Sequence, residues 1–378
     1  MTAVDLVVIG DANPDVIVTG APERIRYGQR ERLLSDGRVV LGGSAAITAC
    51  GAARLGLRTA LVAVVGDDAA GALTLDRLRA AGVDVSAVRV AAGATPLSVI
   101  LRNGADRAIL TYRGVLDELS AADVPGEVLR GCRAVHAASY FLQPRLATGL
   151  PGLFADARAA GAMTSLDTND DPDDRWAGLA GVLAHTDVVL PNERELLHLA
   201  GTWASPRRTP PDGAPAPAGA GRERAVGVDA GPDPSGVADA VPPPRVPAGG
   251  AAPRAGSGAG PSMSTVEHAA LVLADHGVLP VVALGAAGAL SVSDGAIVRA
   301  GAPVVRVVDS IGAGDNLTAG FLAGRLAGRP VPESLRLAVA CGSLSTRGAG
   351  GTATQPTRAE ADACRPGAPP STATGPRG

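Results

Sequence analysis

The chain of 378 residues contains no lysine; all 34 of its basic residues are arginine. That absence excludes a Walker-type phosphate loop, which needs G-x-x-x-x-G-K-[S/T], and any pyridoxal or Schiff-base chemistry. A bound nucleotide must have its charge met by backbone amides, helix ends, arginine or metal. Aromatic residues are scarce too, at 2% against 46% hydrophobic residues, so the core must be built from Val, Leu, Ile and Ala. The four cysteines (Cys50, Cys132, Cys341, Cys364) have no metal-ligand spacing and are expected as buried free thiols of a cytoplasmic protein. No apolar run approaches the length of a membrane span, and the N-terminus has no basic region followed by an apolar one. A formal charge of −3 offers no surface for nucleic acid.

Strand-like and helix-like runs alternate along most of the chain. Strands are expected at 4–10, 59–65, 134–138, 163–167, 187–190 and 279–284, with helices at 45–55, 69–81, 150–160 and 266–276. Such alternation predicts a mostly parallel sheet covered on both faces, a three-layer α/β/α fold. Short strands at 16–18, 38–41, 97–101 and 108–112 break this rhythm, and Arg102-Asn103-Gly104 reads as a hairpin turn. From Ala204 to Ser262 there is no Leu, Ile, Phe, Tyr, Cys or Met. Such a segment buries too little apolar surface to offset its ordering entropy, so 204–262 is expected to be a disordered insertion. The tail from 365 to 378 has the same character.

The densest signal runs from Val308 to Phe321. Two apolar residues lead into Asp309, a Gly312-Ala313-Gly314 turn follows, and Asp315 opens an apolar segment that reads as a helix. Small residues let a backbone approach a ligand, and the amides at a helix start favour an anion such as phosphate. A carboxylate there is suited to taking a proton from an attacking hydroxyl. The structural alternative is a helix N-cap after a glycine turn.

This segment resembles the D-[T/S]-x-G-A-G-D signature of the ribokinase-like (PfkB-type) carbohydrate kinases. The resemblance implies that Asp315 is the catalytic base and that the amides of Gly312, Ala313 and Gly314 line an anion hole. It departs mildly at Asn316 and Leu317, where the family has a small residue and then Phe. Other elements resemble the family in order along the chain. Gly10 to Asp15 matches G-x-x-N-x-D, which makes Asn13 and Asp15 binders of substrate hydroxyls rather than a plain turn. Gly42-Gly43-Ser44-Ala45-Ala46 is similar to G-G-x-x-x-N, with Gly42 and Gly43 at the substrate, but the family's asparagine falls on Ile47.

Asn192 and Glu195 match N-x-x-E, which implies contact with the nucleotide and with water-bound Mg²⁺; helix capping is the alternative. Val282 to Ala289 is similar to the T-L-G-x-x-G nucleotide loop, with Gly285 and Gly288 as close-approach points for ATP. Residues 345–350 resemble a stretch that closes the adenine pocket and forms a monovalent-cation (K⁺) loop beside Asp309. Asp167 and Asn169 match part of a D-x-N-x-R element, in which Asp171 replaces the arginine. Arg113 could meet a charged substrate group or simply be solvated.

The resemblance implies a kinase domain over 1–364, with a small β-sheet lid drawn from about 12–42 and 94–113, and a homodimer through that lid. It implies transfer of phosphate from ATP to a sugar or sugar-like alcohol. Two rivals stand beside it: a nucleoside acceptor, which suits Ile47, and a regulator that binds sugar or nucleotide without catalysis. A Rossmann dehydrogenase is disfavoured, because no G-x-G-x-x-G follows the first strand.

Overall fold

A computed structural model describes residues 4–25, 27–29, 31–104, 106–204 and 263–364. The segment 205–262 and the tail 365–378, on which the expectations of disorder fall, lie outside the described residues. The chain starts with β1 (Leu6–Ile9), then β2 (Asn13–Thr19) and β3 (Asp36–Gly42), which belong to a separate small sheet. Next come α1 (Ser44–Arg54), β4 (Thr59–Gly66), α2 (Ala69–Ala80), β5 (Val88–Ala91), and the hairpin strands β6 (Leu97–Asn103) and β7 (Asp106–Tyr112). The middle of the chain gives α3 (Gly126–Gly131), β8 (Ala134–Ala138), α4 (Pro144–Ala159), β9 (Met163–Asp167), α5 (Leu179–Leu183), β10 (Val188–Val189) and α6 (Glu193–Ala204). After 262 follow α7 (Met263–Asp275), β11 (Leu279–Ala283), β12 (Ala289–Ser293), β13 (Ala296–Ala300), α8 (Ala313–Leu326), α9 (Val331–Ser345) and α10 (Arg358–Ala363).

The main sheet runs β13-β12-β11-β10-β9-β8-β1-β4-β5. It is parallel from β11 to β5, while β12 and β13 add an antiparallel edge. Alternation along β1 and β4 shows why both faces are covered. Leu6, Val8, Leu61 and Ala63 point into one apolar cluster with α1 and α8, and Val7, Ile9, Val62 and Val64 into another with α4, α6 and α7. Among the described residues the core is built mainly of Val, Leu and Ala, with Phe154 and Phe321 its largest fully buried side chains.

The small sheet runs β3-β2-β6-β7 and corresponds to the expected lid. Its strands are longer than the sequence suggests, because polar and glycine positions such as Asp36, Gly37 and Asp106 complete the ladders. The expected helix at 150–160 begins six positions earlier: Pro144 takes its first position, where a missing N–H costs nothing. Sequence reading missed the β12–β13 hairpin. Its turn holds Asp294 at φ 52° and Gly295 at φ 74°, and Asp-Gly between apolar runs is the signal that could have found it.

Candidate active site

Parallel strands leave their carboxyl ends facing one edge, and the loops there collect the polar side chains. β1 ends into Gly10-Asp11. The helix α1 begins after Gly43, whose φ of 86° suits glycine and which has no side chain to cap the helix. Asp11 caps it instead, its carboxylate accepting from the Ser44 N–H at 3.1 Å and the Ala45 N–H at 3.0 Å. Sequence reading did not single out Asp11.

Asn13 opens β2 directly opposite Gly42 of β3. Its Nδ2 donates to Asp15 Oδ1 at 2.8 Å, and both residues are buried. A Cβ on Gly42 would lie 2.1 Å from the Asp15 carboxyl, so this glycine is required by the packing of Asp15. A Cβ on Gly43 would come within 2.6 Å of the Asp11 carbonyl oxygen.

The helix α8 starts two positions earlier than Asp315. Gly312 is its N-cap at φ 73°, and Asp315 is its third residue, so the capping alternative for Asp315 does not hold. Ala313 donates its N–H to the Ser310 carbonyl at 3.3 Å, so of the three amides it is already engaged. Asn316, the departure from the family pattern, binds the Gly312 carbonyl at 2.7 Å and the Gly351 carbonyl at 2.8 Å through Nδ2. It thereby ties the turn to the 351 loop.

Asp315 accepts a hydrogen bond from the Ser44 hydroxyl at Oδ1. The Ser44 oxygen in turn accepts from Asn169 Nδ2 at 3.2 Å, and Asn169 Oδ1 accepts from the Ser139 N–H at 2.8 Å. Side chains following β3, β8 and β9 thus hold the first turn of α8. Ser44 escaped the sequence reading, although its place directly after Gly-Gly could have marked it.

The site carries excess negative charge. The Asp315 residue stays partly exposed, yet the protein packed around it pushes its pKa up to about 7, with Asp11, Asp15 and Glu195 adding to the rise. Burial likewise pushes Asp15 up to about 7, and Asp11 raises it further. Asp167 is held well above the ordinary carboxylate range by burial, then by Glu195 and Asp315; burial also raises Glu195. Among the described residues no group of three or more His, Cys, Asp or Glu side chains is placed to ligate a metal directly.

Asn192 and Glu195 close on each other in the capping geometry. The Asn192 N–H donates to Glu195 Oε2 at 2.8 Å, Asn192 Nδ2 to Oε1 at 2.7 Å, and the Glu195 N–H to Asn192 Oδ1 at 3.0 Å. Asn192 bridges to Ala283 of β11, which sets it beside the Gly285–Ala287 turn. Gly285 has φ 56° and open space where a Cβ would point, whereas a Cβ on Gly288 would lie 2.0 Å from the Ala300 carbonyl oxygen. Gly288 is therefore explained by the β13 backbone, and Gly285 faces open space.

Three other positions find structural partners. Arg113 pairs with Asp117 at 3.1 Å and is half exposed. Asp171 accepts the N–H groups of Asp173, Arg175 and Trp176, which shapes its own loop. Ile47 is buried, and its side chain packs where Cβ atoms on Gly312 and Gly351 would point.

The pfkB family carbohydrate kinase model matches residues 4–232 and 257–358, most of the chain. The chain belongs to this family. The unmatched residues 233–256 fall within the Pro/Gly/Ala-rich segment. This family member is 30% identical over 176 residues to a nucleoside kinase of Methanothermobacter thermautotrophicus, covering 45% of itself and 50% of that protein. It is 32% identical over 192 residues to an ATP-dependent ribose-1-phosphate kinase of Halopiger xanaduensis, covering 50% of itself and 62% of that protein. These matches span about half to three-fifths of the relatives' length. The structure superposes on Arabidopsis thaliana ribokinase complexed with ribose and ATP with a TM-score of 0.68 and 23% identity, covering 96% of this chain and 98% of that one. The ribokinase-like fold follows from that likeness. No helix among the described residues is long and apolar enough to cross a membrane.

Proposed function

We propose that this chain is an ATP-dependent kinase that phosphorylates a hydroxyl of a sugar or nucleoside, with Asp315 as general base. One observation carries this reading. Asp315 stands in the first turn of α8, after the Gly312-Ala313-Gly314 turn, hydrogen-bonded through Ser44 and with its pKa pushed up to about 7. A base poised near neutral pH is the form such catalysis needs. The acceptor hydroxyl gives its proton to Asp315 as its oxygen attacks the γ-phosphorus of ATP. The Gly312 and Gly314 amides and the positive end of the α8 dipole stabilise charge on the transferring group. Asn13 and Asp15 orient the acceptor by hydrogen bonds to its other hydroxyls.

The residues present fit a divalent cation held through water. The oxygen donors of Glu195 and Asn192 stand together at the start of α6. Glu195 and Asn192 would hold water-bound Mg²⁺, which supplies neutralisation of triphosphate charge. The nucleotide reading of Asn192 and Gly285 is supported by their adjacency and by the open face of Gly285.

A nucleoside acceptor is the second reading. It is supported by the likeness to the nucleoside kinase of Methanothermobacter thermautotrophicus. Measuring ADP release against a panel of pentoses, hexoses, ribose 1-phosphate and nucleosides, with Asp315→Asn as control, tests both readings. Release that depends on one acceptor and on Asp315 supports the kinase. Tight binding of an acceptor without any turnover would leave a non-catalytic regulator.

A further inference from the structure

The lid presses on the loop that leads into the anion hole. Ile17 of β2 and Ile100 of β6 form a small buried cluster with Ile311, and Val40 of β3 packs against it. Near the hairpin tip, Arg102 and Arg107 stand directly opposite each other in the β6–β7 register. Like charges in that arrangement repel, so something must hold them. The 308–310 segment does so. Arg102 Nη2 donates to the Val308 carbonyl at 3.3 Å, and Arg107 Nη1 donates to Ser310 Oγ at 3.3 Å. Arg102 Nη1 lies 3.8 Å from Asp309 Oδ2, a carboxylate only 2% exposed.

The resemblance implied a monovalent cation beside Asp309, and a cationic side chain already stands there. Asp309 Oδ1 accepts the Ile311 N–H at 3.1 Å, and Oδ2 accepts the Gly350 N–H at 2.9 Å. The Thr346 carbonyl already takes the Val308 N–H at 2.8 Å and the Asp309 N–H at 3.1 Å. Each Asp309 oxygen already carries one amide, and the positive charge next to the carboxylate belongs to Arg102. A guanidinium stays charged at any working pH.

We propose that Arg102 takes the place of the monovalent cation, as a positioning residue that acts through the 308–310 segment on the anion hole. The proposal rests on the phosphoryl-transfer reading and deepens it. Arg102 belongs to the small sheet, so its contact with Asp309 joins that sheet to the loop that leads into the anion hole. Arg107 holds the same segment at Ser310.

The test uses the full chain in KCl and in tetramethylammonium chloride at equal ionic strength, with ADP release and ATP-binding calorimetry as readouts. The parent protein should turn over and bind ATP equally in both salts. Arg102→Met should lose turnover by about tenfold or more in tetramethylammonium chloride, as for a lost electrostatic contact at an oxyanion site, and regain part of it in KCl. Arg102→Lys should fall between the two. Strong activation of the parent by K⁺, Rb⁺ bound beside Asp309 in crystals of the parent, or full turnover of Arg102→Met without K⁺ would each overturn the proposal. If Arg102→Met fails to fold, the salt comparison on the parent decides. If no acceptor is turned over, the kinase reading fails, and the effect of K⁺ on ATP affinity still decides the role of Arg102.

Discussion

Ser44 donates its hydroxyl hydrogen to Asp315 Oδ1 across 271 positions of sequence, joining the start of α1 to the first turn of α8. That bond favours the charged form of Asp315 against burial and the charges of Asp11, Asp15 and Glu195. Removing it in Ser44→Ala should therefore raise the Asp315 pKa further. The acid limb of the kcat/KM profile should move to higher pH, with most of the rate recovered on the alkaline side. An acid limb that stays in place, or moves to lower pH, would break the link between the two residues.

Asp315→Asn should keep the fold and ATP affinity while phosphoryl transfer drops by about 10² to 10⁴, the range for a lost general base. Single-turnover kinetics on the identified acceptor checks this. A rate within a few-fold of the parent would sink the assignment.

Asp15 gives a stability prediction with a definite sign. Its folded pKa of about 7 lies above the ordinary value of 3.8, with burial the largest cause. Between roughly pH 4 and pH 7 the folded chain holds a proton that the unfolded chain has released, so stability falls as pH rises through that window. Asp15→Asn removes this share of the loss. In urea titrations the variant should gain on the parent from pH 5 to pH 8. A constant difference across that range would show that Asp15 titrates normally.

Ile47→Asn restores the residue type of the family pattern, and from sequence it is expected to improve the use of simple furanoses. The structure points elsewhere. The side chain is 3% exposed and packs against the Gly312 and Gly351 turns, so an amide there loses apolar contact and buries groups without partners. Its cost should be about 1–3 kcal/mol of stability, with turnover impaired through the displaced glycine turn. Urea denaturation together with the furanose panel checks both parts. A stable variant with better furanose use would restore the expectation drawn from the sequence.

Much of the fold is legible along the chain because its elements announce themselves locally. Thr59–Gly66 is an apolar run bounded by turns, and Ala69–Ala80 closes ahead of Gly82. The individual site segments are legible too, since glycine turns followed by Asp or Asn have a local reason to bind anions and hydroxyls. The lid strands are readable only in their apolar centres, because register with a partner strand, not composition, set their ends.

The sequence by itself determined the alternation of strands and helices, the lysine-free chemistry and the residue types at each turn. Only the tertiary structure decided which of these residues act on one another. Asp11 caps a helix 33 positions away, Asn316 reaches Gly351, and Arg102 on the lid meets Asp309 more than 200 positions later. It also decided that Ile47 and Gly288 serve packing, by placing other backbone against them. The physical reason is that hydrogen bonds, desolvation and charge act over a few ångströms of space. Residues far apart in the chain come within that range only when strand order and helix packing bring their loops to one end of the sheet.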